Sequence, residues 1–242
     1  MIPPGDNAIK ELTRFIYDSP TLENPTAQSL SEKAIVCPQN DTVDEINTMV
    51  LGMTSGNSKT YLSTDSINPR AGCHGDIDLL YPTEYLAMLN FNGLPPHELE
   101  LKVNVPVILI RNINQTSGLC NGTRMIVTQL LSRVIEAQIM TGTAIGRRVY
   151  IPRITLTHVD EQLPFTFKRK QFPLKLCYAM TINKSQGQSL NKIGIYLPEP
   201  VFGHGQLYVA LSRATSPQSL KILFVPNANA PLKEIDDALA NN

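Results

Sequence analysis

The hydrophobic period of this chain changes twice, and those changes restrict the fold more than any single motif. Residues 34–50 read as an apolar strand, Ala34-Ile35-Val36-Cys37, closed by Pro38 and followed by a helix with Val43, Ile46, Met49 and Val50 on one face. Thr42 and Glu45 have the spacing of a capping box that would open this helix. Over residues 105–151 the period becomes two: Val107-Ile108-Leu109-Ile110, an Asn121-Gly122 turn, Met125-Ile126-Val127, then runs 134–139 and 149–151 separated by Thr141-Gly142 and Gly146. After Phe172 an α/β pattern returns, predicting strands at 176–181, 193–197 and 220–225 and a helix over 205–214. An antiparallel block between two α/β blocks implies an α/β domain interrupted by a small barrel or sandwich. Residues 52–99, rich in Gly, Pro, Ser and Asn, read as an irregular insertion with one short helix near 83–89. Residues 1–30 carry prolines at 3, 4, 20 and 25 and one short helical stretch, and read as a linker.

At 242 residues and 42% hydrophobic composition, the chain can bury one core and a smaller satellite. Its 21 basic and 21 acidic residues give a formal net charge of zero, so any nucleic-acid contact must come from a local basic patch. Cys37, Cys73, Cys120 and Cys177 form no C-x-x-C pair, and Cys73-His74 are adjacent rather than ligand-spaced. That argues against zinc ribbons and disulfide frameworks, and no metal site is expected. There is no apolar run of membrane-spanning length and no basic-then-apolar leader, so a soluble intracellular protein is expected.

The strand ending at Thr181 delivers a polar loop in which Thr181, Asn183, Lys184 and Ser185 offer hydroxyl, amide and ammonium donors. Open α/β sheets hold ligands at the carboxyl ends of their strands, and such donors suit phosphate oxygens without reading bases. An ordinary polar strand-to-helix loop has the same composition. On the later helix, Leu207, Ala210, Leu211 and Ala214 form the apolar stripe, whereas Arg213 shares a face with Gln206 and Val209 and is carried toward the same end of the sheet as that loop. A solvated surface arginine would read identically. Lys168-Arg169-Lys170, flanked by Phe165, Phe167 and Phe172, is the strongest basic-aromatic cluster, able to follow a nucleic-acid backbone while a ring stacks on a base. In a strand, however, Phe165, Phe167 and Arg169 share one face, which equally makes the phenylalanines core. Arg147-Arg148 reads as a solvated hairpin tip and His204 as a helix-start residue.

Two segments, Ala179-Met180-Thr181-Ile182-Asn183-Lys184-Ser185-Gln186-Gly187-Gln188 and Leu207-Tyr208-Val209-Ala210-Leu211-Ser212-Arg213-Ala214, resemble in this order motifs V and VI of superfamily 1 helicases. The resemblance is closest to ATP-dependent 5′-to-3′ DNA helicases of the petite-integration-frequency type, in the branch carried by plant genomes and Helitron transposons. Residues 78–85, 91–99, 111–124 and 197–202 extend it across positions 31–225. Asn183 stands where many relatives have histidine, and Asn40 where relatives often place arginine. The resemblance implies a second RecA-like domain over 31–112 and 173–228, an inserted SH3-like barrel at 113–172, a tail at 229–242, and 1–30 as the linker from a first RecA-like domain. It implies Arg213 as the catalytic arginine finger, with Gln186 and Gly187 near the nucleotide. Single-stranded DNA would run along Thr181, Asn183, Lys184, Ser185, Lys168, Arg169 and Lys170. ATP with Mg²⁺ is the implied cofactor, single-stranded DNA and duplex junctions the implied partners, and nucleus or mitochondrion the implied site of work. The 242 residues hold no G-x-x-x-x-G-K-[ST] phosphate loop: Gly56-Asn57-Ser58-Lys59-Thr60 comes nearest, with Ser58 and Met53 in place of its glycines. The chain is therefore expected to be the carboxyl-terminal half of a motor, inactive alone. A non-catalytic single-stranded DNA-binding module and a transposon-derived remnant are the alternatives.

Overall fold

The computed structural model describes residues 7–70, 80–188, 190–198 and 205–225. The chain divides into two units, 1–55 with 176–242, and 56–175. The first is built on a four-stranded parallel sheet of β1 (Lys33–Cys37), β12 (Ala179–Thr181), β13 (Lys192–Leu197) and β14 (Leu220–Phe224), in the order β12-β1-β13-β14. Its strands are near-continuous apolar runs because parallel strands are covered on both faces. Ala34, Ile35, Val36, Cys37, Ile193 and Ile195 are accordingly buried.

Residues expected as a linker instead form α1 (Ala8–Ile16), α2 (Ser19–Glu23) and α3 (Ala27–Ser31), and α1 packs on β13 and β14. Leu12 and Ile16, one turn apart, are fully buried. They sit so close to the sheet that a Cβ added at Gly194 would lie 3.0 Å from Leu12 Cδ1 and 3.1 Å from Ile16 Cγ1. Gly194→Val should therefore overpack this contact and lower stability by about 1–3 kcal/mol. A urea midpoint unchanged from that of the parent would show that α1 does not depend on the close approach.

Helix α4 (Asn40–Met53) packs on β12 and β1. It starts before the expected capping box: Gln39 is its N-cap, its side chain not capping the helix, and Thr42 is buried inside the helix beside Val43 and Ile46. The last helix, α6 (Gln206–Leu211), is shorter than the expected 205–214, with Gly205 at its N-cap at φ 87°.

In the second unit, β2 (Ser58–Leu62) pairs with β4 (Glu98–Lys102); β3 (Thr64–Pro69), β10 (Phe165–Gln171) and β9 (Ile154–His158) form a sheet in the order β3-β10-β9. A five-stranded sheet takes β11 (Leu174–Leu176), β5 (Pro106–Leu109), β6 (Arg124–Leu130), β7 (Val134–Ile139) and β8 (Arg148–Pro152) in the order β11-β5-β6-β7-β8, with an irregularity between Val127 and Gln129. The β2–β4, β3–β10, β9–β10, β5–β6, β6–β7 and β7–β8 pairs are antiparallel. Leu86 of α5 (Thr83–Met88) joins Leu94, Leu156, Phe165 and Phe167 in one core. The expected module at 113–172 is thus contained in a larger unit, because β2, β3 and β4 arise from the stretch read as an irregular insertion. The single strand expected over 176–181 is two: β11 joins the five-stranded sheet and β12 the parallel one. No helix among the described residues is long and apolar enough to cross a membrane.

Candidate functional site

Pairing of Cys37 with Thr181 across β1 and β12 brings the start of α4, with exposed Asn40 as its first residue, and the loop after Thr181 to the carboxyl ends of adjacent parallel strands. Asn47 of α4 is buried against β12, where Oδ1 accepts from Tyr178 N at 2.9 Å and Ala179 N at 2.8 Å. The Tyr178 hydroxyl lies 2.9 Å from Thr54 Oγ1, and burial pushes that phenol up to about 12. Burial likewise pushes the Cys37 thiol up, so it stays protonated.

After Thr181 the chain makes a 3₁₀ turn over Ile182–Ser185. Ile182 and Ser185 turn inward, while Asn183, Lys184 and Gln186 face solvent and Thr181 is half-buried. Ser185 corrects the expectation of a phosphate donor: it is fully buried and its Oγ donates to Ile182 O at 2.7 Å, closing the turn. Gly187 takes φ 78°, the left-handed conformation that glycine adopts without a Cβ clash. Gln188 N then donates to Ser185 O at 3.1 Å.

Arg213 lies past the end of α6, in a turn, and is half-buried. Its Nε donates to Val209 O at 3.1 Å, Nη1 to Gln188 O at 3.3 Å and Nη2 to Ser212 Oγ at 3.0 Å. Among the described residues no carboxylate pairs with it, so a full positive charge rests on neutral acceptors. The Arg213 backbone lies at the amino ends of β13 and β14, whereas Thr181 ends β12, and α6 itself packs against the 182–185 turn. Leu190 bridges Ala214 and its N–H donates to Arg213 O at 3.0 Å, and both residues precede their strands, β13 and β14. The expectation that Arg213 reaches the same strand ends as Thr181 is thereby corrected: it meets the far end of the loop, at Gln188. One loop therefore runs from the carboxyl end of β12 to the amino end of β13, with Asn183 and Lys184 near its start and Arg213 at its finish.

Lys168 and Lys170 point outward from β10, half-buried and exposed respectively, whereas Phe165, Phe167, Arg169 and Gln171 alternate inward. Arg169 corrects the expected DNA contact. It is fully buried, with Nε and Nη2 donating to Asp65 Oδ1 and Oδ2 at 2.9 and 2.8 Å, Nη1 to Pro95 O at 3.2 Å and Nη2 to Leu86 O at 3.1 Å. Ser63 Oγ, which donates to Asp65 Oδ1 at 2.7 Å, also lies 2.8 Å from His97 Nδ1. The Pro95-Pro96-His97 segment is thus fastened by this ion pair. Arg148 is exposed and lies 3.7 Å from Glu136. Lys59, in the nearest imitation of a phosphate loop, belongs to β2 and donates to Leu130 O at 3.1 Å. Cys73, His74 and His204 lie outside the described residues, among which no group of three or more His, Cys, Asp or Glu side chains could hold a metal ion.

Against known families, residues 84–130 match a sequence model described as the 2B domain of DNA helicase Pif1, and residues 168–241 one described as a helicase. The ATP-dependent DNA helicase PIF1 of Homo sapiens is 37% identical over 128 residues, which is 52% of this chain and 19% of the human protein. The crystal structure of Pif1 helicase from Candida albicans superposes with a TM-score of 0.59 at 24% identity, covering 99% of this chain and 55% of that one. That of Bacteroides Pif1 bound to single-stranded DNA gives 0.58 at 23%, covering 98% and 50%. The chain thus spans about a fifth of the human relative and about half of each crystallised chain. It is similar in sequence to ATP-dependent Pif1 DNA helicases over 52% of its length, and in fold to Pif1 helicases over nearly all of it.

Proposed function

We propose that this chain is the carboxyl-terminal portion of a Pif1-type ATP-dependent helicase that moves 5′ to 3′ on single-stranded DNA and opens duplex junctions, in the branch found in plant genomes and Helitron transposons. The parallel-sheet unit is its second RecA-like domain, and the five-stranded sheet the body of an inserted SH3-like barrel. Work on nuclear or mitochondrial DNA follows from the same reading. The observation that carries it is the state of Arg213: half-buried at the end of a polar loop, its guanidinium held, among the described residues, by uncharged oxygens alone. A planar fork so held can exchange those acceptors for the phosphate oxygens of ATP as charge develops on them. Gln186 and Gly187 serve the nucleotide and Thr181, Asn183 and Lys184 the DNA, and Lys168 and Lys170 are DNA contacts of the antiparallel unit. Loop residues 181–188 and Arg213 carry donors and no carboxylate, so they fit a phosphate chain and leave Mg²⁺ to acidic residues of the first RecA-like domain.

The 242-residue chain should bind single-stranded DNA weakly, without sequence preference, and hydrolyse no ATP. Anisotropy titration of labelled oligothymidylate against salt should give a linear log–log plot whose slope falls by about 1.4 in Lys168→Ala/Lys170→Ala, for two lost phosphate contacts. DNA-stimulated ATP turnover by this chain alone would overturn the half-motor reading. An unchanged salt slope would remove the two lysines from the track.

A further inference from the structure

We infer that Asn47 is a positioning residue for the 181–188 loop, standing in for the second strand neighbour that β12 lacks among the described residues. Its DNA-binding consequence rests on the helicase reading above, whereas its geometry does not. β12 has three residues and lies at the edge of its sheet, with β1 as its only strand neighbour among the described residues. An edge strand so short would leave outward-facing backbone groups unpaired beneath a packed helix, where water cannot serve them. Asn47, only 3% exposed, meets this need. Its Oδ1 accepts from Ala179 N at 2.8 Å while its Nδ2 donates to Ala179 O at 3.1 Å, so one carboxamide pairs both backbone groups of one residue as a neighbouring peptide would. Oδ1 also accepts from Tyr178 N at 2.9 Å. Thr54, the C-cap of the same helix, holds the Tyr178 hydroxyl at 2.9 Å. Helix α4, which starts at the loop after β1, therefore fixes the last residues before Thr181, and with them the origin of the loop. Asn is required for this: aspartate has no donor for Ala179 O, and alanine or leucine has neither group.

The test is residue-resolved hydrogen exchange on the 242-residue chain, with oligothymidylate affinity measured on the same samples. Asn47→Ala should speed exchange of the Tyr178 and Ala179 amides and of the 182–188 amides about tenfold, and weaken oligonucleotide binding by about the same factor. Amides of β13 and β14 should change far less. Val50→Ala, a cavity in the same helix, is the control: it lowers stability while leaving the loop amides and DNA affinity near those of the parent chain. Asn47→Asp keeps both acceptor contacts but turns a buried carboxylate oxygen toward Ala179 O, so it should disturb the loop at least as much as Asn47→Ala; Asn47→Ser, which retains a small hydroxyl, decides the matter if neither folds. Unchanged loop exchange in the Asn47 variants, or equal acceleration in Val50→Ala, would overturn the inference. Failure of the parent chain to bind oligonucleotide would instead count against the helicase reading, with the exchange data still judging Asn47.

Discussion

Arg169→Met should destabilise the chain by about 3–5 kcal/mol, because it leaves a buried carboxylate without its counter-charge. The Asp65 side chain is 4% exposed, Arg169 is fully buried, and the pair is joined by two parallel bonds. The same guanidinium also holds the Leu86 and Pro95 carbonyls, so its loss would release α5 and the Pro95-Pro96-His97 segment from β10 together. Urea unfolding followed by circular dichroism should show the drop, and it should persist at high salt, since buried pairs are little screened. Arg169→Met/Asp65→Leu should recover at least half of it, because replacing both members of a buried pair by apolar groups removes the uncompensated charge. Lys168→Ala and Lys170→Ala on the outward face should leave the urea midpoint unmoved. A shift of less than about 1 kcal/mol in Arg169→Met would mean that the ion pair does not hold this sheet to its helix.

The alternation that buries Arg169 was readable, since it shares a face with Phe165 and Phe167. The charge of a Lys-Arg-Lys triplet argued the other way. Burial wins because Asp65 answers the charge, and Asp65 lies 104 positions away, beyond any local rule. Asn47 was hidden for the same reason: it sits on the apolar stripe of α4, and its partner Ala179 is 132 positions distant. Strong periods were legible, as in β1, β7, β13 and β14. Punctuation misled where it had two meanings. Pro20 occupies the first turn of α2, a position where its missing N–H does no harm, rather than interrupting a linker. Ser185 looked like a phosphate donor because a 3₁₀ turn, which directs its hydroxyl to Ile182 O, leaves no signature in composition. Arg213 was singled out by the resemblance, while its position depended on where α6 ends and on the Leu190–Ala214 bridge.

When a first RecA-like domain with a phosphate loop precedes this chain, Arg213→Ala should reduce DNA-stimulated ATP hydrolysis by about 10³ to 10⁵, or roughly 4–7 kcal/mol of transition-state stabilisation. The fold should change far less. The bonds lost, to Val209 O, Gln188 O and Ser212 Oγ, join a half-buried cation to neutral acceptors, and among the described residues no ion pair is lost with them. Arg213→Lys should restore little, because an ammonium cannot hold two oxygens in one plane. Nucleotide-free DNA affinity should stay near that of the parent, since Asn183 and Lys184 sit at the other end of the loop and Lys168 and Lys170 on β10. The separation of these two losses is the decisive quantity. A finger that acts only as charge develops on the phosphates lowers the rate without weakening DNA binding. An arginine that merely ties α6 to Gln188 would loosen the loop, so that DNA affinity and hydrolysis fall together. ATP turnover within tenfold of the parent in Arg213→Ala would return Arg213 to the status of a surface arginine and take away the principal support for a motor.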